Sequence, residues 1–413
     1  MTIGENLGSP EYSYYFVVKS YMPILRKLGI VITVNDPGEV DAIYRNAAEF
    51  GQPCVFFSFA PPHHTRLDLA CPTIPVFAWE FETIPNEVWD DDPRNDWRYV
   101  FSKLGRAITH SNFTVASVRA EMGPDFPIVS IPSPMWDNSA RLRAASGPAR
   151  PPGAATLELT AAFVDSRTVD LRPFSRLMPP APSVIADSIA PIEPLSVSGV
   201  IYTAVFNPED GRKNWFDMVC AFCLAFQKVK DATLVLKLTH YDTATVATHI
   251  LYALYKLTPF KCRVVVVRGY LDNEDYENLI KSSTYVLNTS SGEGQCLPLM
   301  EFMSCGIPAV SSRHTAMLDY VNEDNSFVVK ADEDVSSWPH DWRRAVRTLT
   351  YRVNIESLMA QFTESYRVAK RDPDRYARMS ECAWATMRDH CSEAVALERL
   401  RGFLASSNVP GFC

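Results

Sequence analysis

Between residues 199 and 288 four short apolar runs, 199–206, 233–238, 263–268 and 284–288, alternate with stretches of helical apolar spacing. Strands separated by helices pair in parallel, and strands covered on both faces read as continuous apolar runs rather than as polar/apolar alternation. The same alternation appears nearer the amino terminus. A helix is expected over 14–28, kinked at Pro23 and ended by Gly29, followed by strands at 30–34, 54–59, 74–79, 106–110 and 128–131. The fold class expected is α/β: two doubly wound, Rossmann-like domains with C-terminal helices.

The first domain is expected over 1–137 and the second over 199–385. The segment 138–198, rich in Pro, Ala and Ser, reads as an extended connector or small insertion, part of it packed against a domain. Beyond about 335 the pattern is helical, and the last stretch, 386–413, is expected as a helix returning to the first domain.

A formal net charge of -8 disfavours a nucleic-acid binder, whose footprint is basic. The ten cysteines are scattered through apolar runs, unlike a disulfide framework, which suggests a reducing cytoplasm. Cys220 and Cys223 lie in an apolar run whose Val219, Phe222, Cys223 and Phe226 make a helical stripe, and core packing is expected of the pair rather than metal or redox use. No basic flank with an apolar stretch opens the chain and no run approaches a membrane span, so neither export nor spanning is expected. A peripheral contact at the inner face of a membrane stays open.

Chemistry is expected where strands end. In Gly292-Glu293-Gly294-Gln295-Cys296-Leu297-Pro298 a polar, glycine-bearing turn follows a buried strand and opens a short helix from Pro298 to a stop at Gly306. Ligands bind at that edge in open α/β sheets, and a helix amino terminus there favours an anion. Glu301, one turn in, leans back toward the terminus. A carboxylate there suits neutral hydroxyls flanking an anion, and Glu293 suits a second set. A Glu-x7-Glu pair arises about once by chance in a chain of this length, so its place at the junction is what matters. In the first loop of the same domain Arg212 and Lys213 precede the helix from Trp215, with Asn214 expected as its cap; cations there make sense beside an anion. Asp90-Asp91-Asp92 reads as a solvated loop rather than a metal site. Glu80, Glu82 and His110 follow or end strands of the first domain, where the other side of the cleft is expected; Glu80 or Glu82 would hold acceptor hydroxyls there, with a surface carboxylate an equal alternative and a structural role for His110 the stronger one. His63-His64 reads as loop.

These motifs resemble the family 4 retaining glycosyltransferases, the group 1 glycosyl transferases of GT-B fold. Ser291 to Gly294, Leu297-Pro298, Glu301 and Cys305 to Pro308 look like the family signature. The run from Phe206 to Asn214 resembles its phosphate loop, and Arg268 to Leu271 followed by Tyr276 resembles its nucleobase strand and turn. The stretch from Ala107 to Pro132 is similar to the close of its acceptor domain. The resemblance covers most of 100–132 and 199–330. It implies transfer of a sugar from a nucleoside diphosphate sugar to a hydroxyl of a saccharide or lipid-linked acceptor, with no metal or other cofactor, in surface polysaccharide synthesis. It implies that Arg212 and Lys213 hold the diphosphate, Glu301 the ribose and Glu293 the transferred sugar. Gly294, Gln295, Cys296 and Leu297 would lie along the donor, with Gly269, Tyr270 and Leu271 lining the base pocket. Two departures stand out: Cys296 replaces a frequent glycine, and Gly8 is the nearest counterpart of a glycine pair in the first loop. The competing readings are a sugar-nucleotide epimerase or phosphorylase of the same fold, and a non-catalytic nucleotide-sugar-binding subunit.

Overall fold

The computed structural model describes residues 13–146, 156–176, 192–239, 244–338 and 341–406. Gly8 lies outside them.

Four strands form a parallel sheet in the order β1-β2-β3-β4: β1 (Phe56–Phe59), β2 (Thr73–Phe77), β3 (Ala107–Thr109) and β4 (Ile128–Ser130). Side chains alternate across each strand, so Ile74, Val76 and Ile108 face the helices Ser13–Leu28 and Glu393–Ser406. On the other face Phe77, Ala107 and Ile128 meet Trp97, Phe101 and Val118 of the helices Trp97–Leu104 and Asn112–Met122. The last described helix thus packs on the first, and Lys27 Nζ reaches Glu393 Oε2 at 2.6 Å.

The expected strand at 30–34 does not form. Ile30 is 95% exposed and Ile32 59%, and among the described residues no strand pairs with this β-branched run. Local propensity yields to tertiary context.

The larger sheet comprises β5 (Leu157–Asp165), β6 (Ile192–Val197), β7 (Val200–Phe206), β8 (Ala232–Leu238), β9 (Arg263–Arg268), β10 (Tyr285–Asn288), β11 (Ala309–Ser312) and β12 (Ser326–Val329). Their order is β12-β11-β10-β7-β8-β9-β5-β6. The strands from β7 to β12 pair in parallel. The succession reverses at β7, whose neighbours are β8 on one side and β10 on the other, and the crevice outside the carboxyl ends of these two strands is the topological switch point.

The segment expected as connector or insertion is in its described part neither loose nor separate. The helix Trp136–Ser146 packs on Leu297–Ser304, and β5 and β6 add an antiparallel edge to the large sheet. Leu157, Leu159 and Ala161 alternate inward along β5 and are buried, a period-2 pattern that the Pro and Ala content of the surrounding stretch conceals. The stretch after 335 is not helical throughout either: β13 (Ala331–Ser337) and β14 (Arg347–Val353) form an antiparallel hairpin before the helices begin at Ile355. Cys223 is buried in the core, as the helical stripe predicts, whereas Cys220, off that stripe, is only partly buried. Among the described residues no helix is long and apolar enough to cross a membrane.

Candidate functional site

A cleft of about 1220 Å³ is lined by both halves, from Glu80 and Trp79 on one side to Arg212, Glu293 and Glu301 on the other. Its floor is the switch point. The β7 loop supplies Arg212 and Lys213, and the β10 loop supplies Glu293.

The two loops are tied together by backbone. Ser291 N–H donates to Arg212 O at 2.8 Å, and Thr289 Oγ1 donates to Lys213 O at 3.1 Å. Arg212 and Lys213 occupy a short 3-10 turn, Gly211–Lys213, capped by Asp210, whose side chain accepts from Arg212 N–H. Asn214 is not a side-chain cap: it sits in the left-handed region at φ 49° with no cap hydrogen bond, so it turns the chain between the 3-10 segment and the helix Trp215–Ala225.

Lys213 Nζ meets Glu293 Oε1 at 2.6 Å, and Ser290 Oγ donates to the same oxygen at 2.5 Å. Arg212 grips Asp210 with two parallel contacts, Nε to Oδ1 at 3.0 Å and Nη2 to Oδ2 at 2.7 Å. Its remaining arm, Nη1, reaches across the cleft to Glu80 Oε1. Burial disfavours both cations. Burial is the largest single influence on each, but the surrounding acids together outweigh it, Glu293 foremost for Lys213 and Glu80 then Asp210 for Arg212, so both pKa values end above their ordinary ranges. Burial also raises the Glu80 carboxyl, against the pull of Arg212. The result is five ionisable groups sharing their charges in a dry corner.

Glu301 lies on the helix Leu297–Ser304 and accepts a hydrogen bond from Tyr276 Oη at 2.7 Å. Burial raises its carboxyl pKa, with Tyr276 and Lys19 acting against that. Cys296, before the helix, has φ 62°, a conformation that costs a side-chain-bearing residue of order 1 kcal/mol and explains why glycine is the easier choice there. Gly294 and Gln295 line the cleft, and both also meet the opposite half. A Cβ on Gly294 would stand 3.0 Å from Ala78 Cβ and 3.1 Å from Trp79 N, so the missing side chain admits the end of β2 from the opposite half. Gln295 likewise crosses, its Oε1 accepting from Ser133 N–H at 2.9 Å. Cys296, Leu297, Tyr270 and Leu271 line the cleft, the last two directly after Gly269.

On the opposite wall the expected residues divide. Glu80 is buried in the site, Glu82 is exposed away from it, and His110 is enclosed behind the sheet. His110 Nδ1 pairs with Ile131 O at 2.9 Å, and burial lowers its pKa to about 4. That is a structural histidine.

Sequence reading missed the aromatic wall. Trp79 packs on Trp97 with ring centroids 4.5 Å apart, and Trp338 from the β13-β14 hairpin closes on Trp79 at 5.2 Å. Trp97 Nε1 donates to His63 Nδ1 at 3.2 Å, which fixes the neutral tautomer with its proton on Nε2; burial lowers the His63 pKa to about 4. His63, read as a loop residue, therefore lines the cleft. Lys237, the lone cation in the strand Ala-Thr-Leu-Val-Leu-Lys-Leu, was missed as well.

Asp90-Asp91-Asp92 lies in an exposed loop where Asp92 caps a 3-10 turn and pairs with Arg94. Among the described residues no cluster of three His, Cys, Asp or Glu side chains is arranged to hold a metal ion.

Residues 213–348 match the family model described as glycosyl transferases group 1. Among solved structures, the glycosyltransferase of Rickettsia africae superposes with a TM-score of 0.53 at 13% identity, over 95% of this chain and 94% of that one. Sucrose-phosphate synthase of Thermosynechococcus elongatus gives 0.52 at 14%, over 90% and 78%. Anabaena HepE in complex with UDP-glucose gives 0.50 at 11%, over 94% and 89%. At these identities the likeness is one of fold, and the fold is GT-B. No curated protein matches the chain in sequence. The family match, on the segment that carries Lys213, Glu293 and Glu301, supports a glycosyltransferase.

Proposed function

We propose that the protein is a retaining glycosyltransferase that moves a sugar from a nucleoside diphosphate sugar to a hydroxyl of a saccharide or lipid-linked acceptor, in the assembly of a surface polysaccharide. The observation that carries this is the convergence of Arg212, Lys213 and Glu293 at the β7/β10 switch point, with Glu301 on the adjoining helix. In this reading Arg212 and Lys213 bind the diphosphate and stabilise the charge that builds on it as the bond to the anomeric carbon breaks. The acceptor oxygen bonds to that carbon on the departing face, and its proton passes to the phosphate oxygen that leaves. Glu293 orients the transferred sugar by accepting from its hydroxyls, Glu301 does the same for the ribose, and Glu80 faces the acceptor. No step draws on a metal or another cofactor. A protein held at the inner face of a membrane by peripheral contact would meet a lipid-linked acceptor there.

The donor must compete with the carboxylates that now hold the two cations. Arg212 keeps its bidentate Asp210 contact if Glu80 lets go, so exchanging Glu80 for a phosphate oxygen leaves Arg212 paired, and it is the buried Glu80 carboxyl, its pKa already raised by burial, that gives up its cation. The test is release of free sugar from uridine, guanosine, adenosine and thymidine diphosphate sugars without acceptor, with thermal stabilisation by each nucleotide as a second readout. Turnover or stabilisation by at least one donor, lost in Arg212→Ala, is expected. Equal donor turnover in wild type and Arg212→Ala would remove the diphosphate site from this corner.

A further inference from the structure

Lys237 is the penultimate residue of β8, one strand along from the phosphate corner, and it is 3% exposed. Side chains alternate along a strand, so Lys237 shares the face of Val235, which packs with Leu279, Met300 and Val267. That is the face covered by the helices Asn273–Ser282 and Leu297–Ser304, from which Tyr276 and Glu301 line the cleft, and Lys237 lines it too.

An ammonium has three N–H donors and accepts nothing. The Lys237 ammonium donates to Leu238 O at 3.1 Å and lies 5.2 Å from the centroid of the Tyr270 ring. Among the described residues no carboxylate stands within ion-pairing distance of it. A buried cation so placed has donor capacity left over, aimed at the cleft.

We propose that Lys237 determines nucleotide specificity: it donates a hydrogen bond to the base carbonyl oxygen at C4 of a pyrimidine or C6 of a purine, so that the donor carries uracil, thymine or guanine, the bases with an oxo group there. This rests on the nucleotide-sugar reading above and adds the base to it. Adjacent strands lie about 4.8 Å apart, so the β8 and β9 ends stand about 5 to 10 Å from the β7 loop, a span suited to a ribose between phosphate and base. Tyr270, two residues beyond β9 and 48% exposed, lines the cleft beside Lys237. Adenine and cytosine present an amino group where the oxo bases present oxygen, and two donors facing each other in a dry site leave both unpaired.

The experiment measures affinities of UDP, dTDP, GDP, ADP, CDP and inorganic pyrophosphate for the full chain and for Lys237→Met by calorimetry, with the melting temperature of each nucleotide-free protein. Wild type is expected to bind at least one oxo-base nucleotide tenfold or more tighter than ADP and CDP. Lys237→Met is expected to lose that preference, to bind pyrophosphate as wild type does, and to melt at or above the wild-type temperature without nucleotide. Equal weakening toward pyrophosphate and nucleotides would make Lys237 a phosphate ligand and overturn the proposal. So would unchanged nucleotide affinities in the variant, while the wild type still bound and the broader reading stood. A wild type that bound no nucleotide at all would remove both.

Discussion

At the β7/β10 edge Arg212 and Lys213 share three carboxylates, Asp210, Glu80 and Glu293, whereas at the β8/β9 edge Lys237 has one backbone carbonyl and a tyrosine ring. The consequence is visible in the cations themselves. Neighbouring acids hold Lys213 above its ordinary range, while burial alone pulls Lys237 from 10.5 down to about 8. Cations with partners are stabilised before any ligand arrives and must exchange them on binding. A cation without a carboxylate partner costs the folded chain something, and a polar ligand can relieve that cost.

The sharpest way to break this comparison is to delete one cation from each corner. Lys213→Met leaves Glu293 buried without its cation, so a stability loss of about 3–5 kcal/mol in urea unfolding is expected, with a fall in transfer rate on the order of 10²–10³. Lys237→Met should shift stability the other way, by up to about 3 kcal/mol at neutral pH, the worth of a pKa displaced from 10.5 to about 8. Destabilisation of equal size in both variants would erase the distinction. The same displacement predicts a pH signature. The folded chain gives up the Lys237 proton near pH 8 and the unfolded chain near 10.5, so between those values the unfolded state binds more protons and wild-type stability rises with pH. The gap between wild type and Lys237→Met in urea titrations should close over that window.

Two smaller effects refine the picture. Glu301→Ala removes an acceptor that Tyr276 already orients, and a loss of about 1.5 kcal/mol, roughly tenfold in donor affinity, is expected in calorimetry. Glu80→Gln keeps a hydrogen-bonding group beside Arg212 but drops the charge. Because Asp210 remains, about 1 kcal/mol of stability should be lost, and pyrophosphate should bind severalfold more tightly as Arg212 is released. Weaker pyrophosphate binding in Glu80→Gln would show that the cross-cleft pair helps to form the site rather than competing with it.

The convergence of Arg212, Lys213, Glu293 and Glu301 was legible because the first two sit in the loop after β7, Glu293 in the loop after β10 and Glu301 on the helix which that loop opens, and strand ends on one edge of a parallel sheet necessarily meet. The β7, β8, β9 and β10 runs were legible for a local reason too, being short and mostly apolar. Lys237 was passed over because a single lysine in such a run says nothing about whether its stem is buried or its tip solvated. Glu80 and Glu82, two residues apart, lie on nearly the same footing in sequence. Only the approach of Arg212, 132 positions away, singles out Glu80.

The chain by itself determined the alternation of strand and helix, the glycine-bearing turn before Leu297, and which charges stand at the sheet's carboxyl edge, since all of these follow from the spacing of neighbouring residues. Tertiary structure decided that 30–34 would stay unpaired, that β5 and β6 would extend the large sheet, that Gly294 would admit the opposite half, and which cations would find acids. Those outcomes depend on burial and on contacts between distant segments, and no local pattern carries that information.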